Sequence, residues 1–112
     1  MATEQLNSVV RHLRRAAFLH ESGDLTDERL LEGFIAHRDA AAFEVLVKRH
    51  GPMVLGVCRR VLNNPHDAED AFQATFLVLV RKAADVPARA VANWLYGVAR
   101  QTAVRLRATT AK

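Results

Sequence analysis

Apolar residues recur at intervals of three and four along nearly the whole chain, with no sustained period-two run bounded by turn residues, and this pattern predicts an all-α fold. A first helix is expected over Glu4 to Leu19, with Leu6, Val9, Val10, Leu13 and Ala17 on one stripe and Arg11, Arg14 and Arg15 largely off it. Ser22, Gly23 and Asp24 break it, so residues 1–24 read as a separate N-terminal helical arm. A second helix starts at Thr26, a capping residue. Asp27 and Glu28 follow at the positive end of the helix dipole, Leu25 is placed to staple onto Leu30, and the helix should run to about His37. Beyond Arg38 and Asp39, the series Phe43, Leu46, Val47, Val54, Val57 and Val61 predicts a third helix, with a kink or brief break near His50 imposed by Gly51-Pro52.

Asn63-Asn64-Pro65 is the clearest punctuation. Asparagine tolerates the left-handed conformation that ends a helix, and Pro65 suits the first turn of the next, where its missing N–H is no loss. The following helix should bury Ala68, Phe72, Phe76 and Leu79 and end around Ala83. Asp85-Val86-Pro87 is a connector, after which Val91, Trp94, Leu95, Val98, Thr102 and Leu106 mark the core face of a last helix, with Gln101 and Arg105 sharing another face. The tail, residues 108–112, is expected to fray.

At 112 residues the chain has the length of one domain able to own a core. Five Gly and three Pro are too few for a disordered chain. The single cysteine, Cys58, excludes an internal disulfide and a multi-thiolate site, and its place in an apolar series suits a small core residue better than a nucleophile. Charges run through the first twenty residues and no stretch reaches the roughly 18 apolar residues of a membrane span, so a cytoplasmic protein without membrane insertion is expected.

The net charge of +4 comes from 13 Arg and 3 Lys against 12 acids, and it is unevenly spread. Residues 86–112 hold five basic residues, Arg89, Arg100, Arg105, Arg107 and Lys112, and no acid, whereas Asp67, Glu69 and Asp70 crowd three acids into four positions. A basic stretch of this kind is an electrostatic footprint available to nucleic acid. Catalysis has little to work with. His12, His20, His37, His50 and His66 stand at no i, i+4 metal spacing, there is no HExxH and no Gly-rich phosphate loop, and the Asp67/Asp70 carboxylates are what any helix N-terminus favours. No enzyme, metal or cofactor is expected.

The run Asp67-Ala68-Glu69-Asp70-Ala71-Phe72-Gln73-Ala74-Thr75-Phe76-Leu77-Val78-Leu79, followed by Asn93-Trp94-Leu95-Tyr96-Gly97-Val98-Ala99-Arg100-Gln101, resembles region two of bacterial sigma factors, specifically the extracytoplasmic-function (ECF) group. Leu30, Phe43, His50, Arg59-Arg60-Val61-Leu62 and Asn64-Pro65 extend the resemblance over about Leu25 to Arg107. The resemblance implies a compact all-α bundle over residues 25–107 with the arm as an additional helix. It also implies a function, docking on core RNA polymerase and recognition and melting of the promoter minus-ten element. Asp67, Asp70 and Gln73 would meet the clamp helices of the largest polymerase subunit. Arg89, Asn93, Trp94, Arg100, Gln101 and Arg105, with the loop Ala84 to Ala92, would face promoter DNA and capture an unstacked base of the non-template strand. An anti-sigma factor is a further partner of that family.

The residues themselves keep a second reading open for several of these positions. Trp94 lies on an apolar stripe and suits core packing, Tyr96 could project either way, and the arginines suit any solvated helix face. The chain departs from the family in having Gln73-Ala74 where Gln-Glu is common and Gln101 where Asn is frequent. The family's C-terminal helix-turn-helix domain, which reads the minus-thirty-five element, has no counterpart in these residues, as expected of a fragment cut in the linker or of a protein of region two alone. A different functional class also remains open: a small helical interaction module, such as a decoy for an anti-sigma factor or another regulator, without DNA contact.

Overall fold

The computed structural model describes residues 25–110, all of whose regular elements are helices, as the periodicity predicts. The helix expected over Glu4 to Leu19 lies outside the described residues. Four α-helices follow one another: α1 (Asp27–His37), α2 (Ala40–Val61), α3 (Pro65–Lys82) and α4 (Val91–Thr110), with a 3-10 turn (Ala83–Asp85) between the last two. The 22-residue α2 packs against each of the other three, and α3 packs on α4.

The helix starts are those the capping residues dictate. Thr26 Oγ1 accepts from the Arg29 N–H at 3.2 Å, Asp39 Oδ1 from Ala41 at 2.9 Å, and Asn64 Oδ1 from His66 at 2.8 Å, with Pro65 in the first turn of α3. Two turns differ from expectation. Leu62 at the end of α2 is extended (φ −110°), and neither Asn63 nor Asn64 has a positive φ, so the turn is not left-handed; Asn64 serves the start of α3 instead. The left-handed residue is Arg38, at φ 49° and ψ 42°, which donates its N–H to the Phe34 carbonyl at 2.8 Å and closes α1. Its guanidinium lies 4.9 Å over the Phe34 ring and donates to the Val80 carbonyl at 3.1 Å, and these two contacts offset the strain of a side chain in that region.

Of the kink or brief break expected near His50, the break is absent: α2 runs unbroken through Pro52. Pro52 sits on the exposed side, as does Lys48, whose carbonyl loses its donor to the ring, so water can satisfy it. The core is a single cluster with Leu30, Leu31, Leu46, Val54, Cys58, Leu79, Val91 and Leu95 almost wholly buried. An aromatic seam links three helices: Phe34 to Phe43 at 5.3 Å between centroids, Phe43 to Phe76 at 6.4 Å edge-on, and Phe76 to Phe72 at 5.0 Å. Burial pushes the Cys58 thiol up from its ordinary value, as befits a small core residue.

The inner face of α4 differs from the stripe read in the sequence. Its buried positions are Val91, Leu95, Ala99 and Ala103, while Trp94, Val98, Thr102 and Leu106 are only half-buried. The two alanines let α4 lie close against its neighbours, and the larger residues flank the contact. The last helix also continues to Thr110, past the point where fraying was expected.

Candidate functional site

The start of α3 is set by Asn64 and Pro65, which places Asp67 in the first turn and Asp70 in the second. Ala68, Ala71, Thr75, Phe76 and Leu79 face inward, and the buried Thr75 hydroxyl is satisfied by donating to the Ala71 carbonyl at 2.7 Å. That inner face leaves Asp70, Gln73 and Leu77 on one exposed stripe, at i, i+3 and i+7, with Asp67 half-buried at its upper end. Leu77 is 55 % exposed and escaped the sequence reading, although its spacing from Asp70 and Gln73 carried the signal. The Asp70 and Gln73 side chains enter no hydrogen bond or ion pair among the described residues.

On α4 the packing of Leu95, Ala99 and Ala103 turns the opposite side outward. Asn93, Trp94, Arg100, Gln101 and Arg105 border one open shelf, together with Gly97, Val98 and Val104. Five of the six residues expected to face DNA are thus on one surface. Arg89 stands apart from that shelf on the connector, 91 % exposed along its side chain, with its Nε 4.0 Å from Glu28 of α1. Contacts at that distance and exposure are worth little. Trp94 serves both alternatives, being half-buried against the core while also lining the shelf. Tyr96 projects outward and is 47 % exposed.

A third polar group lies between α1 and α2. The Asp27 carboxylate receives the Arg49 guanidinium at 3.0 Å on one oxygen, and the buried His50 Nε2 lies 2.9 Å from the other. The imidazole approaches without the alignment of a hydrogen bond, so the contact is a close polar approach that helps fix the start of α1. Among the described residues no group of His, Cys, Asp and Glu side chains could hold a metal ion, and His12 and His20 lie outside them. No described helix is long and apolar enough to cross a membrane.

No curated protein and no solved structure matches the chain significantly. The family model described as Sigma-70 region 2 matches residues 46–112, opening inside α2 rather than at Leu25. That span is more than half of the chain and contains both surfaces whole, the stripe of α3 and the shelf of α4, and on that ground this chain belongs to the sigma-70 region 2 family.

Proposed function

We propose that this chain is an ECF-type sigma region two that uses α3 to dock on core RNA polymerase and α4 to engage the minus-ten element of promoter DNA. In sigma factors, region two binds polymerase and melts the promoter, and membership of the family supports both halves of the reading. Asp67, Asp70 and Gln73 are assigned to the clamp helices of the largest polymerase subunit, with Leu77 as the apolar contact beside them. Arg89, Asn93, Trp94, Arg100, Gln101 and Arg105 are assigned to the non-template strand, where cations meet phosphates and Trp94 with Gln101 receives an extruded base. The reaction needs no catalytic group, because extruding a base costs a few kcal/mol that a pocket and backbone contacts can return.

The observation that carries this reading is the segregation of chemistry between two helices. The α3 stripe offers acid, amide and leucine, the α4 shelf belongs to a stretch of five cations and no acid, and neither outer face is covered by another described helix. A pull-down with core RNA polymerase tests it. Retention of the chain, lost on Asp70→Arg, is the expected result; capture by an anti-sigma factor with no polymerase contact would favour the interaction module instead.

A further inference from the structure

The outer face of α3 is an unpartnered helix face whose charge finds no balance within the described residues. On α1 and α2, Asp27 is held by Arg49, Glu28 approaches Arg89, Asp39 caps a helix and Glu44 has a partner, so Glu32 alone is left over. On α3, Asp67, Glu69 and Asp70 all lack a side-chain partner among the described residues, and the exposed Leu77 follows Asp70 by seven positions on the same stripe. The chain itself carries the complement. The arm predicted over Glu4 to Leu19 sets Arg11, Arg14 and Arg15 against one acid, Glu4, and Arg14 follows Leu6 and Val10 by eight and four positions, on the flank of the apolar stripe. The arm reads apolar then cationic and α3 reads acidic then apolar, so the two match when they run in opposite directions.

We propose that the outer stripe of α3 is the seat of this chain's own arm, laid antiparallel so that Arg14 meets Asp70 while Leu6 and Val10 cover Leu77. The connection suits that direction. Asp27 lies 2.9 Å from His50 of α2, and a Cβ built on the next residue, Gly51, would stand 3.5 Å from the Phe72 ring, so the chain joins α1 level with the acidic half of the stripe. Residues 20–26 span up to about 23 Å when extended, more than twice the usual distance between packed helices of about 10 Å. The other faces fit a cationic segment less well: the α4 shelf is basic, the exposed Lys48, Arg59 and Arg60 of α2 repel it, and α1 offers Ile35 with Glu32 alone. Exposed ion pairs are individually weak, so a partner with a larger interface can displace the arm. Competition between arm and polymerase for the stripe follows, and that consequence rests on the reading of α3 as the docking helix.

The test is amide hydrogen exchange of the full chain, followed in peptides from residues 4–19, beside titrations with core RNA polymerase. Asp70→Arg and Arg14→Glu should each speed exchange in the arm about threefold or more, and the charge swap Asp70→Arg/Arg14→Glu should return it to the parent rate. Glu32→Arg should leave it unchanged. Arm exchange that ignores Asp70→Arg, or that responds to Glu32→Arg instead, overturns the proposal. Protection that grows over an about hundredfold rise in protein concentration also overturns it, because the arm then sits on a second copy. Arg14→Glu leaves α3 intact and should raise polymerase affinity about threefold, as when the competent fraction rises from about one third to nearly all. If the charge swap restores arm protection but Arg14→Glu leaves polymerase affinity unchanged, the seat of the arm stands and the reading of α3 as the docking helix is overturned.

Discussion

The outer faces of α3 and α4 carry opposite chemistry, and they differ as much in how far the fold accounts for them. On α3, Asp67 sits in the first turn, where it complements the dipole of its own helix. On α4, Arg107 lies in the last turn and is explained the same way, but Arg100 is mid-helix and gains nothing from the dipole. Beside it, Tyr96 is half exposed and a Cβ on Gly97 would meet nothing within 4 Å among the described residues. The inner faces are alike in kind: α3 buries Ala68 and Ala71 with Phe76 and Leu79, and α4 buries Ala99 and Ala103 with Val91 and Leu95. A charge the fold already explains says little about a partner, so Asp70 and Leu77, not Asp67, are the informative residues of α3.

The largest effect is expected where that comparison is most exposed to failure. Asp70→Arg replaces an acid on the stripe proposed to dock on polymerase by a like charge for a basic partner. Truncating one member of a desolvated charge pair costs about 2 to 5 kcal/mol, so affinity for core polymerase should fall at least about tenfold. Because Asp70 lies in the second turn, beyond the reach of the strongest dipole effect, the fold should lose only about 0.3 kcal/mol. Binding curves beside a thermal melt separate the two quantities. Full affinity in a folded variant would remove α3 as the docking helix and leave the interaction module as the better reading.

Next in size is a change on the inner face of α4. Ala99→Leu inserts a larger side chain where the residue is wholly buried, and overpacking of this kind typically costs about 1 to 3 kcal/mol. Displacing α4 should disturb the shelf while leaving Asp70, Gln73 and Leu77 in line, so DNA engagement should suffer more than polymerase binding. Equal loss of both would show that the two faces are not separable.

The same alanines show where sequence pattern is a good guide and where it fails. The start of α1 was legible because Thr26 acts through its own backbone neighbourhood, and Pro65 marked the start of α3; Asp39 and Asn64, read only as a separator and a helix end, prove to cap α2 and α3 in the same way. The α4 stripe was drawn toward Trp94, Val98 and Thr102, since bulk dominates a periodicity reading while close packing selects small residues at Ala99 and Ala103. Leu77 read as one more apolar residue because solvent exposure depends on which neighbours arrive, not on its own type. Arg38 had no local signal at all: its left-handed backbone is held by a ring on α1 and a carbonyl on α3, both set by tertiary structure. The shared shelf of Asn93, Gln101 and Arg105 was within reach of helical spacing, whereas the separation of Arg89 required the path of the connector.

A smaller and more selective effect is expected from Arg105→Ala. Arg105 is exposed at the far end of the shelf and supports no core contact, so stability should change by less than about 0.5 kcal/mol. Polymerase affinity should be that of the parent. Promoter engagement by the assembled complex should weaken several-fold and lose about one unit of its salt dependence, as when one phosphate contact is removed. Titrations at two salt concentrations with and without promoter DNA distinguish this from a general loss of binding.

The smallest effect concerns the anchoring of α3 itself. Arg38→Gly relieves a left-handed side chain, worth roughly 1 kcal/mol, and removes two contacts, the hydrogen bond to the Val80 carbonyl near the end of α3 and the cation over Phe34. A hydrogen bond in this setting contributes about 0.5 to 1.5 kcal/mol and an exposed cation–π contact about 0.5 to 1. The losses equal or exceed the gain, and the net change should be a destabilisation of no more than about 1.5 kcal/mol. Comparison with a second variant is informative even so. Backbone relief acts on α1 alone, while the lost hydrogen bond acts on the α1–α3 junction, so Arg38→Lys, which keeps the strain but cannot reproduce the planar fork over Phe34, should be less stable than Arg38→Gly. If denaturant melts instead place Arg38→Gly more than about 2 kcal/mol below the parent, the bond to Val80 is holding α3 in position, and the docking stripe depends on α1 as well as on its own helix.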